Sequence, residues 1–174
     1  GAALQSAKVQ GANLRGAEMV GTILVGVELE HAFLDQARVV SYVENLSQDV
    51  QQTIRRHRQW VDNFGAEGER AVLDGQDFSN VVFAGMDLSG ASMRGTVLVR
   101  CDFSGCTLKM VDFSDADLKH ANLSTADLSG SRLCKANLSG ADFSNVVLGA
   151  THIRDRSGAS TGGEMRSDLS GARA

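Results

Sequence analysis

Large apolar side chains recur at every fifth position along most of this chain. Stepping from Leu73 gives Phe78, Phe83, Leu88, Met93, Leu98, Phe103, Leu108, Phe113, Leu118, Leu123, Leu128, Leu133, Leu138, Phe143, Leu148 and Ile153 without a gap. With 43% apolar residues overall, such a run would arise by chance roughly once in a million. A second, mostly small set sits two residues before each of these, as in Ala91, Cys101, Cys106, Ala116, Ala121, Ala126 and Ala136. The residue just before the large one is often Asp or Asn, and Ser followed by Gly, Asn or another polar residue comes after it.

A five-residue period suits neither common element. An α-helix turns 100° per residue, so every fifth side chain drifts around the axis. A flat strand alternates with period two, which sends successive steps of five to opposite faces. The pattern fits a chain that turns a corner every five residues, each side placing one large and one small residue inward. Parallel coils of that kind stack at about 4.8 Å.

Units such as Ala126-Asp127-Leu128-Ser129-Gly130, Ala136-Asn137-Leu138-Ser139-Gly140 and Ala141-Asp142-Phe143-Ser144-Asn145 resemble the A(D/N)LxX signature of the pentapeptide-repeat family. The resemblance implies an all-β solenoid, a right-handed quadrilateral parallel β-helix with four repeats per coil. Seventeen units would then make slightly more than four coils.

The same period runs near the N-terminus through Leu4, Val9, Leu14, Met19, Leu24, Leu29, Leu34 and Val39, with small partners such as Ala2, Ala7, Thr22, Val27, Ala32 and Ala37. From Val39 to Leu73 is 34 residues, so the register breaks between the two ladders. The segment between them reads as a helix ending near Phe64. Val43, Leu46, Val50, Ile54, His57, Val61 and Phe64 form one stripe at steps of three and four. Ser47 is the expected N-cap, Asp49 lies near the first turn, and Gly65 is the expected stop. Arg55, Arg56, Arg58 and Gln59 should face water.

This stripe suits a cap, because a stack of coils ends in open apolar surface and unpaired backbone. The run His57-Arg58-Gln59-Trp60, with Gly65, Gly68, Arg70, Ala71 and Leu73, also resembles a leader that precedes many bacterial repeat blocks of the family. It implies a fresh stack starting near Ala71. The expected organisation is a short repeat block over 1–40, a helical cap over 41–70, the main β-helix over 71–154 and a flexible or irregular tail over 155–174. Two separate stacks are favoured over one stack with a helical excursion. The tail holds one isolated unit, Ser167-Asp168-Leu169-Ser170-Gly171. Leu118→Asp should cost several kcal/mol by burying a charge, about 2–7 kcal/mol on the usual scale for unpaired polar groups. Ser129→Asp, placed outward, should be near neutral.

Composition narrows the chemistry. Aromatic residues are only 5% and proline is absent, so the interior must be built from Leu, Val and Ala. The net charge of −4 supplies no basic field for phosphate backbones, which argues against direct nucleic-acid binding. No apolar run approaches a membrane span. Cys101, Cys106 and Cys134 fit no CxxC pattern, and a reducing setting, the cytoplasm, is expected. The repeat is already running at Gly1, so the chain is expected to extend upstream.

No metal, cofactor or catalytic set is expected. His31, His57, His120 and His152 lie away from metal-ligand spacing; His120 and His152 should be solvated, and His57 should pack on the helix stripe. Cys101 and Cys106 read as core fillers, while Cys134 should face outward as the one candidate reactive thiol. The Asp residues before the large positions belong to turn chemistry. Trp60 is expected as a core anchor, and Trp60, Arg55 and Arg56 together are the candidate partner-binding residues.

The expected function is a non-catalytic scaffold or protein-interaction module with an unknown protein partner, no membrane contact, and possible oligomers formed end to end or through the helix. The alternative, which the resemblance implies, is a DNA mimic that binds and protects or inhibits a type II topoisomerase (gyrase). Residues 70–153 hold nine Asp and seven Lys plus Arg, a weak imitation of a polyanion.

Overall fold

Corners set the architecture. In this computed structural model, which describes residues 9, 11–20, 33, 38–155 and 157–174, every fifth residue from Gly75 to Asn145 has a positive φ. Seven of these corners are glycine, for which that conformation is free of Cβ strain. The other eight are Asn80, Arg100, Met110, Asp115, His120, Thr125, Lys135 and Asn145.

Most corners are closed by a turn bond, such as Val81 N–H to the Phe78 carbonyl at 3.0 Å. The Asp or Asn before each large residue secures it from outside. Asp77 Oδ1 accepts from Ser79 N–H at 2.8 Å, and Asp87, Asp102, Asp112, Asn122, Asp127 and Asp142 repeat the bond.

Successive coils pair in parallel with partners twenty residues apart, as in Val72↔Ser92↔Asp112↔Arg132 and Asp87↔Thr107↔Asp127↔Val147. Four five-residue sides therefore make one coil. Leu88, Leu108, Leu128 and Leu148 lie one above another along a wall, because the residue before each is bridged to its neighbour. Inside, Phe83 stacks on Phe103 with ring centroids 5.0 Å apart, and Phe113 meets Phe103 edge-on at 5.8 Å. Leu73 through Leu133 along the ladder are essentially inaccessible to solvent. At roughly 1.5–3 kcal/mol per buried large side chain, this interior is the dominant favourable contribution.

Two stacks were expected; among the described residues, the N-terminal segment is paired into the main ladder. Strands β1 (Glu18–Val20), β2 (Arg38–Tyr42) and β3 (Val81–Val82) make a single parallel sheet in that order. β1 pairs with β2 through Glu18↔Arg38, and β2 with β3 through Ser41↔Val81 and Tyr42↔Val82. The pairing position advances only four residues, from Arg38 to Tyr42, where a normal side advances five. That single lost residue breaks the fivefold register between Val39 and Leu73. Of the N-terminal positions, Met19 is buried and Leu14 half-buried. Leu4, Leu24, Leu29, Leu34, Ala2, Ala7, Thr22, Val27, Ala32, Ala37 and His31 lie outside the described residues.

Between β2 and β3 the chain makes its helical excursion. A 3-10 turn (Val43–Asn45) precedes helix α1 (Gln48–Asp62), whose N-cap Ser47 accepts from Val50 N–H at 3.4 Å. Gly65 N–H bonds the Trp60 carbonyl at 2.8 Å and Phe64 N–H the Val61 carbonyl at 3.2 Å, a Schellman ending with Phe64 left-handed at φ 50°. The helix thus stops two residues short of Phe64, and the turn swings this ring out of the stripe. Val50 and Ile54 join the ladder's core, with Val43 and Leu46 packed against it, and His57 is fully buried. The stripe meets the main ladder where it starts, with His57 Nδ1 accepting from Ala71 N–H at 3.1 Å.

The described residues of the tail, expected to be flexible or irregular over 155–174, are paired. β4 (Ala150–Arg154) and β5 (Ser160–Arg166) form an antiparallel hairpin. The chain then re-enters the ladder through Arg132↔Asp168 and Asn137↔Arg173. Ile153 keeps the fivefold phase by coincidence: it sits half-buried in β4, and Leu169 follows the residue that pairs in its place. Ser129, expected to be free in solvent, is buried at 7% exposure beside Asp127, whose Oδ1 accepts its N–H at 3.0 Å. Ser129→Asp would set a second carboxylate against the first, so it is not a neutral change. At the lower end Val147, Leu148 and Leu169 remain exposed.

Candidate partner-binding cleft

The two excursions interrupt the ladder at different coils and meet over one corner line, Gly90, Met110 and Gly130. Trp60 sets the edge of its ring on the first of these: a β-carbon at Gly90 would come within 3.3 Å of Trp60 Cη2 and Cζ3. The hairpin covers the last: a β-carbon at Gly130 would meet Thr151 Cγ2 at 2.7 Å and the Met165 carbonyl at 3.0 Å. Both glycines are needed for close approach as well as for their positive φ. Met110 occupies the middle corner, left-handed at φ 56° and half-buried. Phe64 closes the opening, because its ring lies 3.6 Å from the β-carbon position of Gly158 at the hairpin tip.

The result is a cleft of about 460 Å³ walled by Trp60, Val61 and Phe64 on the helix side and by Thr151–Asp155 on the hairpin side. Ser89, Lys109 and Met110 form its floor. Charged groups around it are already paired. Lys109 Nζ bridges Asp127 at 3.2 Å, and His152 Nδ1 lies 3.6 Å from Glu164 Oε1. Arg154 Nη1 donates to the Gly158 carbonyl at 2.8 Å, and Asp155 Oδ1 accepts from Ser157 N–H at 2.8 Å and Ala159 N–H at 3.1 Å. These bonds order the rim. The aromatic and thioether surface between them is what remains to receive an apolar side chain.

The three residues expected to bind a partner are not brought together. Trp60 is half-buried in this cleft. Arg55 lines a groove of about 610 Å³ on the other flank of α1, facing Ala84–Asp87. Arg56 is exposed and bridged to Glu69 at 3.2 Å. Phe64, Met110 and Ile153 were not anticipated as cleft residues. Met110 carried a signal, since it is a large apolar residue at a corner where other units have Gly or a polar group.

The remaining candidates find plain environments. His120 and His152 are exposed, as expected, and His57 is fully buried. Burial pushes the Cys101 thiol up to about 12 and the Cys106 thiol up to about 11; each donates to a main-chain carbonyl, Phe78 and Phe83 respectively. Cys134 is half-exposed, and the neighbouring Asp168 carboxylate raises its thiol too, which works against a reactive thiolate. Among the described residues, no group of three or more His, Cys, Asp or Glu is placed to hold a metal ion. Among them, too, no helix is long and apolar enough to cross a membrane.

Among solved structures, the chain is similar to HetL, a pentapeptide-repeat protein involved in heterocyst differentiation regulation from the cyanobacterium Nostoc sp. strain PCC 7120. The identity is 24% over 98% of this chain and 63% of that one, with a TM-score of 0.27. It is similar to Rfr23, from the cyanobacterium Cyanothece 51142, at 20% identity over 63% of each chain and a TM-score of 0.29. Full-length QnrB1, a plasmid-mediated fluoroquinolone resistance protein, matches at 17% identity over 98% of this chain and 90% of that one, with a TM-score of 0.28. The chain thus spans a little under two thirds of the length of HetL and of Rfr23. No curated protein matches it. The family model described as Pentapeptide repeats matches in eight copies, over residues 1–38, 69–105, 77–114 and 112–149. The corner at every fifth residue, the twenty-residue coil and this match over most of the sequence agree: the chain belongs to the pentapeptide-repeat family.

Proposed function

We propose that the chain is a non-catalytic scaffold for protein–protein interaction, built on a right-handed quadrilateral β-helix, with the helix–hairpin cleft as its docking surface. The observation that carries this reading is Phe64. It stands 57% exposed at a left-handed position, where a non-glycine residue costs about 1–2 kcal/mol. An aromatic ring that contributes little to the core and occupies a strained corner is better explained by what it meets from outside. Its neighbours Trp60 and Met110 present the rigid and adaptable surfaces that partner side chains use. A reducing compartment such as the cytoplasm suits the three free cysteines.

The DNA-mimic alternative draws little support from the ladder's charge. Seven of the nine Asp residues are engaged in turn bonds, and Asp112 and Asp127 are further paired with Arg94 and Lys109. Failure to inhibit gyrase supercoiling would agree with this, and inhibition would reverse it. The docking reading is tested by affinity capture from native cell extract with the wild-type chain, Phe64→Glu, Met110→Glu and the distant Val97→Glu. A partner lost with both cleft variants and kept with Val97→Glu is the expected result. Equal retention by all four chains would refute the cleft as the docking surface.

A further inference from the structure

We propose that His57 is an acid-sensitive latch holding helix α1, and with it the Trp60 wall of the cleft, onto the ladder. Its consequence for docking rests on the cleft reading above; the latch chemistry does not.

The geometry defines one protonation state. His57 is fully buried, and its Nδ1 accepts a hydrogen bond from Ala71 N–H at 3.1 Å. Ala71 is the first small inward residue of the main ladder, where no preceding side supplies its amide with a partner. Because Nδ1 is the acceptor, the ring must be neutral with its proton on Nε2. Nε2 itself has no hydrogen-bond partner among the described residues. Protonating Nδ1 would set two N–H groups face to face, so the charged ring and the Ala71 bond exclude each other. The ring also stacks on Trp60, with centroids 5.7 Å apart and planes 15° from parallel. The stretch leading into Ala71 is pressed against the same helix: a β-carbon at Gly68 would lie 2.3 Å from the Arg56 carbonyl and 2.6 Å from Trp60 N. Breaking the bond therefore loosens the helix where it carries the cleft's aromatic wall.

The surroundings fix the direction of the response. Burial lowers the affinity of His57 for a proton; the Leu88 carbonyl and Asp87 on the ladder oppose this, and Arg70 in the leader adds to it. Of the other charges of these elements, Arg56 is paired with Glu69 at 3.2 Å and Arg58 with Asp62 at 3.9 Å, while Asp49, Arg55 and Glu67 are exposed to solvent. The net shift is downward from 6.5. A released helix would take up its proton near 6.5 and the docked helix only below that. Docking is therefore complete above about 6.5 and weakens as the pH falls below it.

Trp60 is the sole tryptophan and reports directly. The test follows its emission wavelength and the hydrogen exchange of the Ala71 amide between pH 7.5 and 5, in the full chain and in His57→Asn. The Asn Oδ1 can stand in for Nδ1 as acceptor, and it does not titrate. The expected result in the wild type is a red shift of emission and a tenfold or greater acceleration of Ala71 exchange, relative to its normal pH trend, as the pH falls below 6.5. His57→Asn should show neither. Identical profiles in the two chains would overturn the latch, as would acid quenching of Trp60 without a wavelength shift or faster Ala71 exchange. If His57→Asn does not fold, the wild type decides alone: an Ala71 amide that stays protected to pH 5 refutes the proposal. None of these readings needs a partner, so they stand apart from failure of the capture experiment.

Discussion

Helix α1 and the β4–β5 hairpin both leave the ladder and fold back over the same corner line, yet they are held by different forces. The helix is attached by burial: Val50 and Ile54 are part of the continuous core, and His57 is fully buried. The hairpin is attached by backbone. Ser167 N–H bonds the Gly149 carbonyl at 3.0 Å, Ser167 Oγ bonds the Leu128 carbonyl at 2.8 Å, and Thr151 and Met165 close on the bare backbone of Gly130. Its side chains stay mostly exposed or half-buried. One face of the ladder is thus closed at one end by apolar area and at the other by close approach to a glycine. Core mutations should loosen the first, and a single added methyl the second.

The largest expected difference is between two isoleucines. Ile54→Ala removes a buried side chain and should cost about 2–4 kcal/mol in denaturant unfolding. Ile153→Ala, half-buried in the hairpin, should cost about 1 kcal/mol or less. Equal costs would mean that the hairpin is docked by its core after all.

Next is a pair of glycines with similar backbone. Gly85 has φ 74° and nothing within 4 Å of its β-carbon position, so Gly85→Ala should cost about 1 kcal/mol from conformation alone. Gly130→Ala adds the collision with Thr151 and Met165 and should cost about 2–3 kcal/mol. The excess should fall sharply when Thr151→Gly is added. An excess that persists would place the strain elsewhere.

A smaller change sharpens the account of the corners. Thr125 is β-branched at φ 58°, and Thr125→Gly should raise stability by about 0.5–1 kcal/mol, read as a higher Tm. The smallest effect concerns the re-entry of the chain after the hairpin. Asp168 is held down to about 2 by the Ser170 hydroxyl and then its N–H. A depressed carboxyl contributes stability that is present above its unfolded value near 3.8 and is lost as the pH falls through about 2. In Ser170→Ala the Asp168 titration followed by NMR should move upward, bringing the loss of ladder pairing to a higher pH.

The ladder could be read from the sequence because a five-residue corner repeats its demand on side chains at every step. Leu88, Leu108 and Leu128 had to be inward for the period to exist. The helix was visible for the same reason, its buried stripe being tied to a 3.6-residue turn, and only its final Phe64 was misplaced by the left-handed cap. The hairpin offered no such demand. Ser160–Arg166 buries little, so its sequence is polar and glycine-rich like an ordinary loop. Ile153 then matched the fivefold phase while serving another element. The cleft was invisible in the same way, because Trp60, Met110 and Ile153 belong to three elements that only the folded chain unites.

That union is most directly tested by a single through-space contact. In an NMR spectrum of the full chain, the Phe64 ring protons should show nuclear Overhauser effects to the Hα protons of Gly158, since the ring lies 3.6 Å from that residue's β-carbon position. A Gly158 resonance that is well resolved but has no contact with Phe64 would contradict the account, because the helix and the hairpin would then not close over the same face.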